Sequence, residues 1–109
     1  MEKKTAHYKL ADVLATVAAH GLDCFTQSAR QGLLAMGLTP AEALAAIAAL
    51  ERKHLHKSMT TFADHKVWQD VYRCPTDRGL AYVKFTLIQP TAAVPTPRVV
   101  ISFKALEDL

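Results

Sequence analysis

Leu80-Ala81-Tyr82-Val83-Lys84-Phe85-Thr86-Leu87-Ile88-Gln89 alternates apolar and polar side chains over most of its length. Successive residues of a β-strand point to opposite faces. Ala81, Val83, Phe85 and Leu87 therefore belong to one face, and Tyr82, Lys84 and Thr86 to the other. Arg98 to Lys104 repeats the pattern, with Val99, Ile101 and Phe103 inward and Ser102 and Lys104 outward. Between the two runs lie Pro90, Pro95 and Pro97, which cannot donate to a sheet ladder and so mark a loop. Strands with one apolar and one polar face build an antiparallel sheet that is covered on a single side. Moving toward the N-terminus, Pro75 to Gly79 reads as a turn, Val67 to Arg73 as a strand, and Leu55 to Phe62 as another.

Before His54 the period is helical. Leu10, Val13, Leu14 and Val17 form an apolar stripe that Gly21 ends, and Cys24-Phe25 reads as a short extended piece. A second helix is expected from Ser28 to Met36, closing at Gly37. Thr39-Pro40-Ala41-Glu42 sets a capping hydroxyl, a helix-opening proline and a capping-box glutamate in order. The third helix should then run to about Arg52, burying Leu44, Ile47 and Leu50. Helices first and antiparallel strands second is an α+β order. One domain over residues 1–109 is expected, helical to about 53 and sheet from about 54 to 104.

Hydrophobic residues make up 50% of the chain and charged ones 21%, which excludes a disordered chain. No apolar run approaches the ~20 residues of a membrane span. Met1-Glu2-Lys3-Lys4-Thr5 leads into a patterned segment rather than a signal-peptide core, so a cytoplasmic location without membrane contact is expected. Cys24 and Cys74 lack Cys-x-x-Cys spacing and read as two free thiols, one of them buried. Charge is uneven: residues 52–104 carry +6, residues 1–51 carry −1, and Glu107-Asp108 adds −2. A basic second half suits a polyanion such as RNA, or is simply a solvated surface.

The alternation gathers chemistry on the polar sheet face. If the last two long strands pair, Tyr82, Lys84 and Lys104 converge, and Lys57, Gln69 and Arg73 are placed to join them. Cations for phosphate, a ring for an unstacked base and an amide for a base edge are what RNA binding needs. A solvated sheet face is equally Lys- and Thr-rich, so the residues alone leave both readings open. His54, His56 and His65 lack the Cys or carboxylate spacing of a zinc site; no metal and no cofactor is expected. Asp64 reads as a turn cap and Trp68 as half-buried core. There is no Gly-rich phosphate loop, no nucleophile elbow and no spaced carboxylate pair.

Lys57-Ser58-Met59-Thr60-Thr61-Phe62-Ala63-Asp64-His65-Lys66-Val67-Trp68-Gln69-Asp70-Val71-Tyr72-Arg73 is a longer signal. It resembles the signature of the MqsR toxins, in which a Lys-Ser-Met-Thr-Thr block runs through Asp-His to Trp-Gln-Asp-Val-Tyr-Arg. Tyr82-Val83-Lys84 and Ser102-Phe103-Lys104 continue the resemblance, as do Met1-Glu2-Lys3, His7 and Lys9-Leu10 at the start. The resemblance implies a RelE-like fold and the toxin of a type II toxin–antitoxin pair. It implies a metal- and ribosome-independent endoribonuclease that cuts mRNA at short GCU-like sites. A cognate, MqsA-like, DNA-binding antitoxin would be its partner. The family's active-site lysine, glutamine, tyrosine and C-terminal lysine fall on Lys57, Gln69, Tyr82 and Lys104, with Arg73, Lys84 and His56 as substrate-binding additions. A non-catalytic RNA-binding module using the same face is the alternative.

Lysine is a poor base at its ordinary pKa of about 10.4. For Lys57 to take a proton from a ribose 2′-hydroxyl, neighbouring cations and partial burial would have to lower that value. Two positions depart from the family pattern. His56 stands where a tyrosine is usual and brings a titrating ring, and the loop 90–97 replaces a shorter connection.

Overall fold

A computed structural model describes residues 1–108; Leu109, the last residue of the expected domain, lies outside the described residues. The chain opens with a two-residue strand, β1 (Glu2–Lys3), and then the helices α1 (Leu10–His20), α2 (Gln27–Ala35) and α3 (Pro40–Ala48). Four strands follow: β2 (Leu55–Thr60), β3 (Trp68–Thr76), β4 (Gly79–Ile88) and β5 (Arg98–Ala105). The five strands form one antiparallel sheet in sequence order, with three helices on one of its faces. The architecture is α+β, as the order of periods predicts.

Val83, Phe85, Ile101 and Phe103 are buried on the covered face beneath Val13, Leu33 and Ile47. Tyr72 meets Phe85 edge to face at 5.6 Å, and Phe25 lies 5.8 Å from Phe103. The α2 backbone presses on β5 at Gly32, where a Cβ would stand 1.9 Å from the Phe103 carbonyl oxygen. Phe25 bridges to Ile101 in parallel, so the short extended piece exists, preceded by a 3₁₀ turn at Gly21–Cys24.

The capping box of α3 forms as its sequence requires: Glu42 N–H donates to Thr39 Oγ1 at 3.1 Å and Thr39 N–H to Glu42 Oε1 at 2.9 Å. Its far end differs, because α3 stops at Ala48 rather than near Arg52. Leu50 turns into the core, and residues 52–54 make a 3₁₀ turn that delivers the chain to β2. Alanine sets propensity but no stop signal, so the end is fixed by burial of Leu50 and by Glu51 N–H donating to His54 Nδ1.

β3 also runs further than expected, through Pro75, leaving Asp77-Arg78 as the hairpin tip and Gly79 at φ 101°. Beyond Tyr72 it has no β2 partner, and proline is tolerated beside such a free edge. Cys24 and Cys74 are free thiols and both are buried, where one was expected to be. No single helix is long and apolar enough to cross a membrane among the described residues.

Candidate nucleic-acid interface and active site

The face of the sheet opposite the helices carries the polar positions of every long strand. Pairing sets Lys57 beside Val71, Val71 beside Lys84, and Lys84 beside Ser102. One row away, Arg73 stands beside Tyr82 and Tyr82 beside Lys104. Val71 is fully buried on this face, between its row neighbours Lys57 and Lys84.

His56 reaches the same face by a different route. The register slips between Leu55 and Lys57, so β2 carries an extra residue at His56. Strict alternation would send His56 and Lys57 to opposite faces. The bulge instead sets the His56 ring 6.2 Å from the Tyr82 ring while Lys57 stays in its own row. Lys84 Nζ stands 5.8 Å from the Tyr82 ring centroid.

The six residues Lys57, His56, Arg73, Tyr82, Lys84 and Lys104 are thus brought together, and Gln69 stands on the same face one row beyond Lys57 and Lys84, two residues along β3 from Val71. Gln69 pairs with Met59 and lies four residues from Arg73, about 13 Å along the strand. The face is therefore elongated, with the Gln69 amide at one end, Arg73, Tyr82 and Lys104 at the other, and Lys57 and Lys84 between them.

The electrostatics of the cluster correct one expectation. Lys57 is not lowered toward a useful base; its pKa is raised, because Glu2 accepts its hydrogen bond at 2.7 Å and adds a favourable charge. The same contact holds the Glu2 carboxyl below its ordinary value. Lys84 is instead the lysine pushed down, first by burial and then by the Lys104 and Lys57 charges. His56 is lowered too, by burial and then by Arg73, Lys57 and Lys4, with Glu2 opposing. Starting from about 6.5, a lowered imidazole is neutral at pH 7 and free to accept a proton.

Glu2 and Lys4 were missed from sequence. A two-residue strand has no periodicity to detect, and the Glu2–Lys57 contact joins positions 55 apart. The segment after β1 is tied down by the buried Asp70 carboxylate, which accepts from the backbone N–H groups of His7 and Tyr8 at 2.9 Å each. Tyr8 then donates its hydroxyl to the Trp68 carbonyl at 2.9 Å, and His7 stacks on the half-buried Trp68 ring at 5.0 Å. Asp64 caps its turn by accepting from Lys66 N–H at 2.8 Å, as expected. Among the described residues, no group of three or more His, Cys, Asp or Glu side chains is placed to hold a metal ion.

A small α+β protein whose uncovered antiparallel sheet face bears four cations, an imidazole and a phenol has the charge and the rings that suit a polyanionic strand. Comparison with known proteins supplies the narrower assignment. The model of the family described as "Motility quorum-sensing regulator, toxin of MqsA" matches residues 5–105. The mRNA interferase toxin MqsR of Escherichia coli (strain K12) is 38% identical over 94 residues, which cover 86% of this chain and 95% of that relative. The chain belongs to the MqsR toxin family.

Proposed function

We propose that this toxin is an endoribonuclease that cuts mRNA on the open sheet face, without a metal ion and without the ribosome, at short GCU-like sites. The observation that carries the reading is the collection of Lys57, Arg73, Lys84, Lys104, Tyr82 and a neutral His56 on one face that no helix covers. A sheet face that served only solubility would not need a bulge to recruit a second side chain from one strand. Nor would it gain from holding a partly buried lysine among like charges, as Lys84 is, lowered first by burial and then by Lys104 and Lys57.

The chemistry follows from the ionisation states. His56 takes the proton of a ribose 2′-hydroxyl. The freed oxygen bonds to the adjacent 3′ phosphorus, and the bond from phosphorus to the next 5′-oxygen breaks. Tyr82 returns a proton to that leaving oxygen, so the products are a 2′,3′-cyclic phosphate and a 5′-hydroxyl. Lys57, kept protonated by Glu2, joins Arg73, Lys84 and Lys104 in stabilising charge that grows on the phosphoryl oxygens. Gln69, farther along the face, reads a base edge or holds a flanking phosphate. Such clustered positive charge opposes entry of a magnesium ion and supplies the electrostatic stabilisation that a metal would otherwise give.

The partner that restrains this activity is an MqsA-like antitoxin, which we take to bind DNA; toxin and antitoxin would meet in the cytoplasm, where mRNA is translated. Incubation of the purified toxin with single-stranded RNA in EDTA, followed by end-group analysis, tests the mechanism. Cyclic-phosphate and 5′-hydroxyl ends are expected. Cleavage that stops in EDTA and returns with magnesium or zinc contradicts it, and uncleaved RNA retained by the protein would identify a binding module instead.

A further inference from the structure

β1 pairs with β2 only at Glu2–Met59 and Lys3–Ser58, and the chain then leaves the sheet toward α1. Along Leu55–Lys57 the outer edge of β2 has no strand beside it among the described residues. A wedge opens there between the departing segment and the 3₁₀ turn that feeds β2, with a cavity of about 780 Å³. Binding pockets run from about 300 to 1,000 Å³, so the wedge has room for a nucleotide.

Its lining is one-signed. Lys4 and Lys9 come from the segment, and Arg52 and Lys53 from the turn; among the described residues no carboxylate lines the cavity. The carboxylate nearest the turn is Glu51, which meets Lys53 at 3.7 Å with both side chains largely in water. A pair so exposed is weak and easily exchanged. Tyr8 also lines the cavity, and its ring is held in place by the hydroxyl that donates to Trp68.

The wedge lies round the β2 edge from the cluster: Leu55 and Tyr72, which line it, stand on the helix side, and the open face begins at His56. Leu55 lines the wedge and His56 follows it. Lys4 lines the wedge while its charge acts on His56. An RNA strand lying across Lys104, Tyr82 and His56 runs off the sheet at this edge and meets the four cations next.

We propose that this wedge is a second RNA subsite, which takes the phosphates and one unstacked base of nucleotides flanking the cleavage point. The proposal rests on the reading of the open face as the place where RNA is cut. It assigns the wedge to a nucleic-acid strand because the lining combines a cation row with a fixed ring, the pairing that single-strand binding uses. Length-dependent affinity follows: RNA that extends beyond the cut on this side binds more tightly than RNA that ends there.

The test is the double variant Arg52→Ala/Lys53→Ala, made in two exposed side chains whose truncation opens no core cavity. Two RNAs are compared, a short one spanning only the cleavage point and a long one extended on both sides. Both are also made with a 2′-deoxy sugar at the cut so that binding can be read without cleavage. Each phosphate contact to a single strand contributes about 0.7 to the slope of log affinity against log salt. Loss of two contacts should flatten the slope for long RNA by about 1.4 and weaken binding by up to about 25-fold at 0.1 M salt. Cleavage of the short RNA and the melting temperature should be unchanged. Wild-type affinity and slope for long RNA in the folded double variant would overturn the proposal, and so would an equal loss on short and long RNA. Failure of the wild-type protein to cut any RNA would instead overturn the reading of the open face, while the deoxy-substituted binding series still decides the wedge.

Discussion

Asp70→Asn isolates the contact that ties the N-terminal segment to the sheet. Asp70 is 1% exposed, and its two carboxylate oxygens accept separately from His7 N–H and Tyr8 N–H. Asparagine keeps one acceptor oxygen and turns an NH₂ donor toward the other N–H. One charged hydrogen bond is lost, at about 1.5–3 kcal/mol, and the second becomes neutral and weaker, so the total is about 2–4 kcal/mol. Unfolding entropy near 60 °C is about 2.1 cal/mol/K per residue. Over 109 residues this converts each kcal/mol into a fall in melting temperature of about 4 °C, or roughly 8–16 °C in all. Calorimetry measures the fall, and amide exchange at His7 and Tyr8 should accelerate by more than exchange in β4. Because the segment also carries Glu2, the folded fraction should cut RNA more slowly. A variant melting within about 3 °C of wild type, with both amides still protected, would refute the assignment of Asp70 as the anchor.

Gly32→Val drives a side chain into the Phe103 carbonyl, a backbone group that cannot step aside, and should cost about 3 kcal/mol or more in a thermal melt; an unchanged melt would mean that α2 does not press on β5. His56 has a lowered pKa, so the cleavage rate should rise with pH as the ring loses its proton, with a midpoint below about 6.5. His56→Phe should abolish that limb and most of the rate, and an unaltered profile from pH 5 to 8 would remove His56 from proton transfer. For the Glu2–Lys57 pair, the depressed glutamate contributes stability above its ordinary value of 4.5, lost as pH falls through the lowered one. The raised lysine contributes stability below 10.5, lost as pH rises through the higher one, so the pair is fully formed between these limits. Glu2→Gln should therefore move the alkaline loss of cleavage to lower pH, and an alkaline limb that stays in place would separate Lys57 from the chemistry.

How much of this could be read from sequence depended on the range of the signal. β4 and β5 were legible because burial on one face imposes a period of two, and their outward residues, Tyr82, Lys84 and Lys104, were placed by the same rule. The start of α3 was legible because its cap is local chemistry within four residues. Its end was not, since Leu50 stops the helix by packing against the core. His56 could be singled out as a titrating ring, but the bulge that turns it onto the face has no mark of its own in the sequence. The ionisation of Lys57 was read in the wrong direction. The cations near it were visible in strand alternation, whereas Glu2 arrives on a strand too short to detect. Long-range pairing, which decides charge states, was the part that pattern alone could not supply.

The measurement that tests the central claim most directly is the RNA cleavage rate of Tyr82→Ala and Lys104→Ala, each paired with its own thermal melt. Both side chains lie on the open face and support no core packing, so both variants should melt within about 2 °C of wild type. Removal of a group that stabilises or protonates the transition state should lower the cleavage rate by about 10²-fold or more. Folded variants that cut RNA at the wild-type rate would contradict the account, because RNA would then be cut somewhere other than the open face of the sheet.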